Sequence, residues 1–168
     1  MNIRCVATGL AAALVSACAS YSGSSLVTGK STAAEVEILM GQAAERVETP
    51  GGGSVLYYPR GPAGRETYAV VIGADGKVHA VEQRLTDANI ARLVLGTTTA
   101  QEVRGLFGPP ATTTRFQRLQ RDVWEYHMDP ISMPYLLLVQ FSPDGIVREA
   151  FKIKDYSAEI PSGSGNMP

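Results

Sequence analysis

The sequence holds only two cysteines, Cys5 and Cys18, both within its first eighteen residues. A fold built from the residues that follow has no thiol. That excludes a disulfide, a cysteine zinc cluster and a cysteine nucleophile, and leaves packing alone to hold the core. Histidine is as scarce: His79 and His127 stand in strand-like segments with no second ligand at metal spacing such as H-x-x-x-H. No G-x-S-x-G elbow is present, and Gly51-Gly52-Gly53-Ser54 lacks the lysine of a phosphate loop. The carboxylates are scattered rather than clustered. These absences predict no enzyme, no metal, no cofactor and no small-molecule substrate. Basic excess is missing too, with 15 Lys and Arg against 16 Asp and Glu, so nucleic acid is not expected as a partner. What remains, 45% hydrophobic and 18% charged residues, is the composition of a globular chain, not a disordered one.

The N-terminus has an organisation of its own. Arg4 is the only charge before an apolar run from Val6 to Val15, and Val15-Ser16-Ala17 leads into Cys18. A charged start, a short apolar core and a small-residue junction predict a signal peptide over 1–17, removed from the mature chain. The apolar run is too short for a membrane-spanning helix, which needs about 20 residues. Apolar, small, small, Cys resembles the lipobox of bacterial lipoproteins. That resemblance implies lipid attachment at Cys18 and a short linker over 18–25. It also implies delivery to the outer membrane, facing the periplasm, because Ala19 rather than Asp follows the cysteine. Ordinary secretion is the other reading, since Ala17-Cys18-Ala19 also fits a cleavage site. One acyl chain holds a protein only marginally, whereas several make a durable anchor.

Beyond the linker the chain repeats itself. Residues 26–41, LVTGKSTAAEVEILMG, align with 93–108, LVLGTTTAQEVRGLFG, at an offset of 67 with nine identities. In each copy Thr-x-x-Glu is a capping box, Thr32 with Glu35 and Thr99 with Glu102, in which threonine caps a backbone N–H and glutamate reaches back. Apolar residues at helical spacing follow, and Gly41 and Gly108 fall where a helix must stop. After each short helix the hydrophobic period drops to two. Strands are predicted at Val55–Tyr58, Glu66–Ile72 and Lys77–Arg84, then at Asp122–Met128, Tyr135–Phe141 and Ile146–Ile153. The Ser142-Pro143-Asp144-Gly145 sequence supplies a turn, Gly145 taking its positive-φ position. A further helix is expected over Leu85–Leu95, a flexible hinge over Thr49–Ser54 and a disordered tail over 157–168. The fold class read from this is α+β. It has two tandem units, 26–84 and 85–156, each a helix packed on a three-stranded antiparallel meander.

The pattern L-x-x-G-x-[ST]-T-x-x-E-V-x-x-L-x-G, then an aromatic strand containing Trp124, then a hairpin with Asp-Gly at its turn, resembles the SmpA/OmlA family. These are small BamE-like lipoproteins of the outer membrane, and here the pattern occurs twice. A doubled helix-and-sheet unit is also similar to the fold of the β-lactamase-inhibitor protein. The resemblance implies a non-enzymatic lipoprotein that binds protein, as a scaffold or accessory in outer-membrane assembly or envelope integrity. The alternative is an inhibitor or binder of a periplasmic hydrolase.

The interaction site can also be placed from the residues. Tyr135–Phe141 is apolar at both parities, as a central strand covered on both faces is. Helices cover one face only, so the other is expected to be open, and the open faces of the two units are expected to merge. Leu136, Leu138, Tyr57 and Tyr126 are assigned to that surface, with Arg60 and Arg115 at its rim. Tyr58 and Phe116 are further candidates as residues in or beside loops, of types enriched at binding hot spots. Trp124 is assigned to core packing. Which parity faces the helices is open at this stage, because a one-residue slip exchanges them.

Overall fold

The computed structural model describes residues 22–61, 64–128 and 134–156. The expected signal peptide over 1–17, Cys18, Ala19 and the tail expected over 157–168 lie outside the described residues. The elements run α1 (Ala33–Met40), β1 (Glu45–Glu48), β2 (Ser54–Arg60), β3 (Glu66–Ile72), β4 (Val78–Gln83), α2 (Asp87–Ile90), α3 (Ala100–Phe107), β5 (Thr112–Phe116), β6 (Arg121–Met128), β7 (Tyr135–Phe141) and β8 (Val147–Lys154). They make an α+β fold with two antiparallel four-stranded sheets, ordered β1-β2-β3-β4 and β5-β6-β7-β8. Among the described residues no helix is long and apolar enough to cross a membrane.

Both expected helices start at their threonines. Thr32 N–H donates to Glu35 Oε2 at 2.7 Å and Glu35 N–H donates to Thr32 Oγ1 at 3.3 Å. The corresponding bonds of Thr99 and Glu102 measure 2.7 and 3.2 Å. Each cap is also bridged to the residue just before the last strand of the sheet that follows it, Thr32 to Lys77 and Thr99 to Ile146. Gly41 and Gly108 end the helices at φ 80° and 81° with extended ψ, a region reserved for glycine.

Each sheet has one strand more than the expected meander. β1 and β5 escape a hydrophobic pattern because Glu45-Arg46-Val47-Glu48 and Thr112-Thr113-Thr114-Arg115-Phe116 have no buried face. Glu45 is half-buried, and the rest of β1 and all of β5 are exposed. They form by main-chain pairing with β2 and β6. The expected hinge over Thr49–Ser54 is instead the tight turn of the β1–β2 hairpin. Thr49 N–H donates to Gly53 O at 2.9 Å and Gly52 N–H donates to Thr49 O at 3.0 Å. The helix expected over Leu85–Leu95 shrinks to α2. The chain after it is drawn against β8, where Gly96 N–H donates to Val147 O at 2.8 Å.

The core has two compartments. In one, Val36 and Met40 of α1 pack on Leu56, Tyr58, Val70 and Ile72 of the first sheet. In the other, Val103, Leu106 and Phe107 of α3 pack on Tyr126, Leu137, Val139 and Phe141 of the second. α3 also serves as the spacer between the sheets. Tyr57 donates its hydroxyl hydrogen to Gly105 O at 3.2 Å. Gly108 stands so close to β2 and β3 that a Cβ there would meet Tyr57 Cδ1 at 2.8 Å and Thr67 Cγ2 at 3.0 Å. The layers are therefore α1, first sheet, α3, second sheet.

Candidate interaction surface

Register decides which side chains reach the surface. Residues paired across antiparallel strands share a face. Trp124 lies opposite Val139 and Tyr126 opposite Leu137, so all four face α3. Trp124 rests on Phe141 with ring centroids 4.7 Å apart, in the packing role assigned to it. The opposite parity carries Glu125, Leu138 and Phe151 in one row and His127, Leu136 and Ile153 in the next. No described element covers this face. Phe151 and Ile153 are 39% and 44% exposed, and Leu136 and Leu138 are half-buried beside them. The open parity is thus that of Leu136 and Leu138.

Three other assignments are corrected. Tyr57, Tyr58 and Tyr126 are not surface residues; each is at most 3% exposed. Tyr58 faces α1, whereas Tyr57 and Tyr126 face α3, and Tyr126 donates its hydroxyl hydrogen to Gly108 O at 3.3 Å. Burial pushes the ionisation of Tyr57 and Tyr126 upward, which keeps both hydroxyls neutral and able to donate. For the same reason the open faces of the two sheets do not merge. On the second face of the first sheet α3 packs at the end holding Tyr57, Thr67 and Ala69, while Val47, Val55 and Val71 at the other end stay partly exposed. Arg60 is not a rim residue either. Its guanidinium donates to Met40 O at 2.6 Å at the end of α1 and lies 5.1 Å from the Tyr58 ring centroid.

Arg115 and Phe116 are exposed but belong to strand β5 rather than to a loop. Arg115 pairs with Asp122 at 2.7 Å, and Phe116 is 47% exposed. Phe151 and Ile153 are surface residues the sequence reading did not single out. Their signal was the period-2 pattern of β8, which places both at one parity.

A cleft of about 490 Å³ opens between the sheets beside Pro59, Thr67, Leu85, Pro110 and His127. At its edge Asp155, 2% exposed, accepts from Arg65 at 2.6 Å and lies 3.1 Å from His127 Nδ1. His127 Nε2 is 3.1 Å from Glu125. The network ties the end of β8 to the loop before β3. His79, by contrast, is an exposed histidine 3.2 Å from Asp75.

No protein-family model matches the chain, and no curated protein matches it. A solved structure, that of the DUF4309 family protein YjgB from Bacillus subtilis, is similar over 79% of this chain and 84% of its own. The two are 16% identical, with a TM-score of 0.31.

Proposed function

We propose that this chain is a non-enzymatic lipoprotein, anchored by lipid on Cys18 to the periplasmic face of the outer membrane. It acts there by binding protein, as a scaffold or accessory in outer-membrane assembly or envelope integrity. The fold is read as a tandem duplication of one SmpA/OmlA-like unit. What supports the duplication is the pair of capping boxes, each bridged to the residue just before the last strand of its sheet, together with the nine shared residues around them.

One observation carries the binding reading. α1 covers one face of the first sheet and α3 packs on the Tyr57 and Thr67 end of the other, whereas the open face of the second presents Leu136, Leu138, Phe151 and Ile153 to solvent. Contiguous exposed apolar side chains rimmed by charge mark interaction sites. Here Glu125 and Glu149 share the face, and Lys152 and Lys154 flank it along β8.

Crosslinking in intact cells, followed by mass spectrometry, tests this reading. Barrel-assembly subunits or barrel proteins among the adducts are the expected result. A single dominant periplasmic hydrolase would point instead to an inhibitor, and no specific protein adduct would contradict the reading outright.

A further inference from the structure

Three of the four outer sheet edges are short, charged or covered. β1 offers Glu45–Glu48, charged at three of its four positions. β4 is covered at its start, where Gly29 N–H donates to Val78 O at 2.7 Å and Val78 N–H donates to Ser31 O at 2.8 Å. β8 begins under similar cover from Gly96 and Thr98, and its remaining length carries Arg148, Glu149, Lys152 and Lys154. β5 is the least protected, with Arg115 the one charge among its five residues. All five of its residues are exposed, none is acidic or proline, and three are β-branched threonines. Among the described residues no strand lies against its outer side. Native proteins usually blunt such an edge, because its unpaired N–H and C=O groups are a template for another strand.

The surroundings of β5 favour a particular occupant. Hollows of about 290 and 680 Å³ flank Thr113–Arg115 and Arg115–Leu119, and the inter-sheet cleft opens at Pro110 and Thr112. The hairpin that follows is basic, with Arg115, Arg118 and Arg121. Its nearby carboxylate, Asp122, is already taken by Arg115. Leu119 is 68% exposed at the tip.

We propose that β5 is a strand-acceptor edge that takes an extended, carboxylate-bearing segment of a partner protein as a fifth strand of the second sheet. Main-chain hydrogen bonds supply affinity in this mode, and alternate side chains supply selectivity. An acidic side chain on the segment meets Arg118 and Arg121, and an apolar one meets Phe116 and Leu119. A second copy of this chain fits less well. Antiparallel self-pairing at β5 would set each basic hairpin opposite Pro109–Thr112 of the other copy, which has no carboxylate. The inference rests on the protein-binding reading and assigns it a docking edge.

The test uses the full chain in intact cells, with a photo-crosslinking residue placed in turn at Thr113 on β5, Arg46 on β1 and Glu82 on β4. The expected result is a protein adduct at Thr113 about tenfold stronger than at the other two positions, its mapped peptide containing Asp or Glu. Arg118→Glu should reduce that adduct by about tenfold at unchanged melting temperature, a control that does not depend on strand geometry. Stronger adducts at Arg46 or Glu82, an adduct to a second copy of the chain, or a peptide without a carboxylate would overturn the assignment. If general crosslinking recovers a protein partner and Thr113 does not, the edge assignment fails alone. If neither recovers one, the binding reading fails with it.

Discussion

Arg104 of α3 holds Glu45 of β1 with two parallel hydrogen bonds, from Nε and Nη2 to the two carboxylate oxygens, each 2.6 Å long. The pair fastens the helix of the second sheet to the outermost strand of the first. Arg104 is 39% exposed, so water screens the attraction, and a coupling of about 1 kcal/mol is expected despite the two-pronged geometry. A double-mutant cycle with Arg104→Met and Glu45→Gln, followed by urea unfolding, measures it. Zero coupling would mean that packing around Tyr57 and Gly108 alone joins the sheets.

Gly108 and Gly41 separate backbone strain from crowding. Both hold a φ that side chains resist, but a Cβ at Gly41 meets nothing within 4 Å, whereas at Gly108 it strikes Tyr57 and Thr67. Gly41→Ala should cost about 1–3 kcal/mol from the backbone alone. Gly108→Ala should cost a further 1–3 kcal/mol or so, for overpacking between α3 and the first sheet. Equal losses would show that α3 is not seated tightly on β2 and β3.

Much of this fold is legible in the sequence wherever local chemistry decides. Thr32 and Thr99 bond residues three positions away, so a capping box announces a helix start with no knowledge of the rest. β7 shows itself by the apolar run Tyr135–Val139. β1 and β5 do not, because exposed strands owe their existence to main-chain pairing with a distant neighbour, which leaves no periodicity to find. The same limit misplaced Tyr57 and Tyr126. An aromatic residue in a strand next to a turn fits a hot spot and a core position equally well. Only the seating of α3 between the sheets sends both inward.

Acid should weaken the fold through carboxylates that the native structure keeps ionised. Glu102 is held below its ordinary value by the Thr99 N–H and hydroxyl, and Asp144 by the Ser142 hydroxyl and the Ile146 N–H. Asp75 is lowered by the Lys77 N–H, and Asp87 by hydrogen bonds from Lys152 and Tyr135. A native pKa below the unfolded one gives stability that is complete above the unfolded value. That stability is lost as pH falls through the native value. Melting temperature should therefore be level near neutrality and fall below roughly pH 4. Glu102→Gln should make that fall shallower, and an unchanged acid limb in the variant would remove Glu102 from the explanation.

Lipid attachment has a direct chemical readout. Cells given radioactive fatty acid should label the wild-type chain, and Cys18→Ala should abolish the label. Equal labelling of both chains would contradict the anchor, and an unlabelled but secreted wild type would leave cleavage without lipidation.

Leu138 and Leu137 are neighbours in one strand with opposite fates, the first on the open face of the second sheet and the second fully buried against α3. Leu138→Asp and Leu137→Asp, each compared with wild type for melting temperature and for partner recovered by crosslinking in cells, test the binding face most directly. Leu138→Asp should keep the melting temperature within a few degrees of wild type and lose the partner. Leu137→Asp should unfold, because it buries a charge without a counterion. A Leu138→Asp chain that folds normally and still captures its partner at wild-type yield would contradict binding through this face.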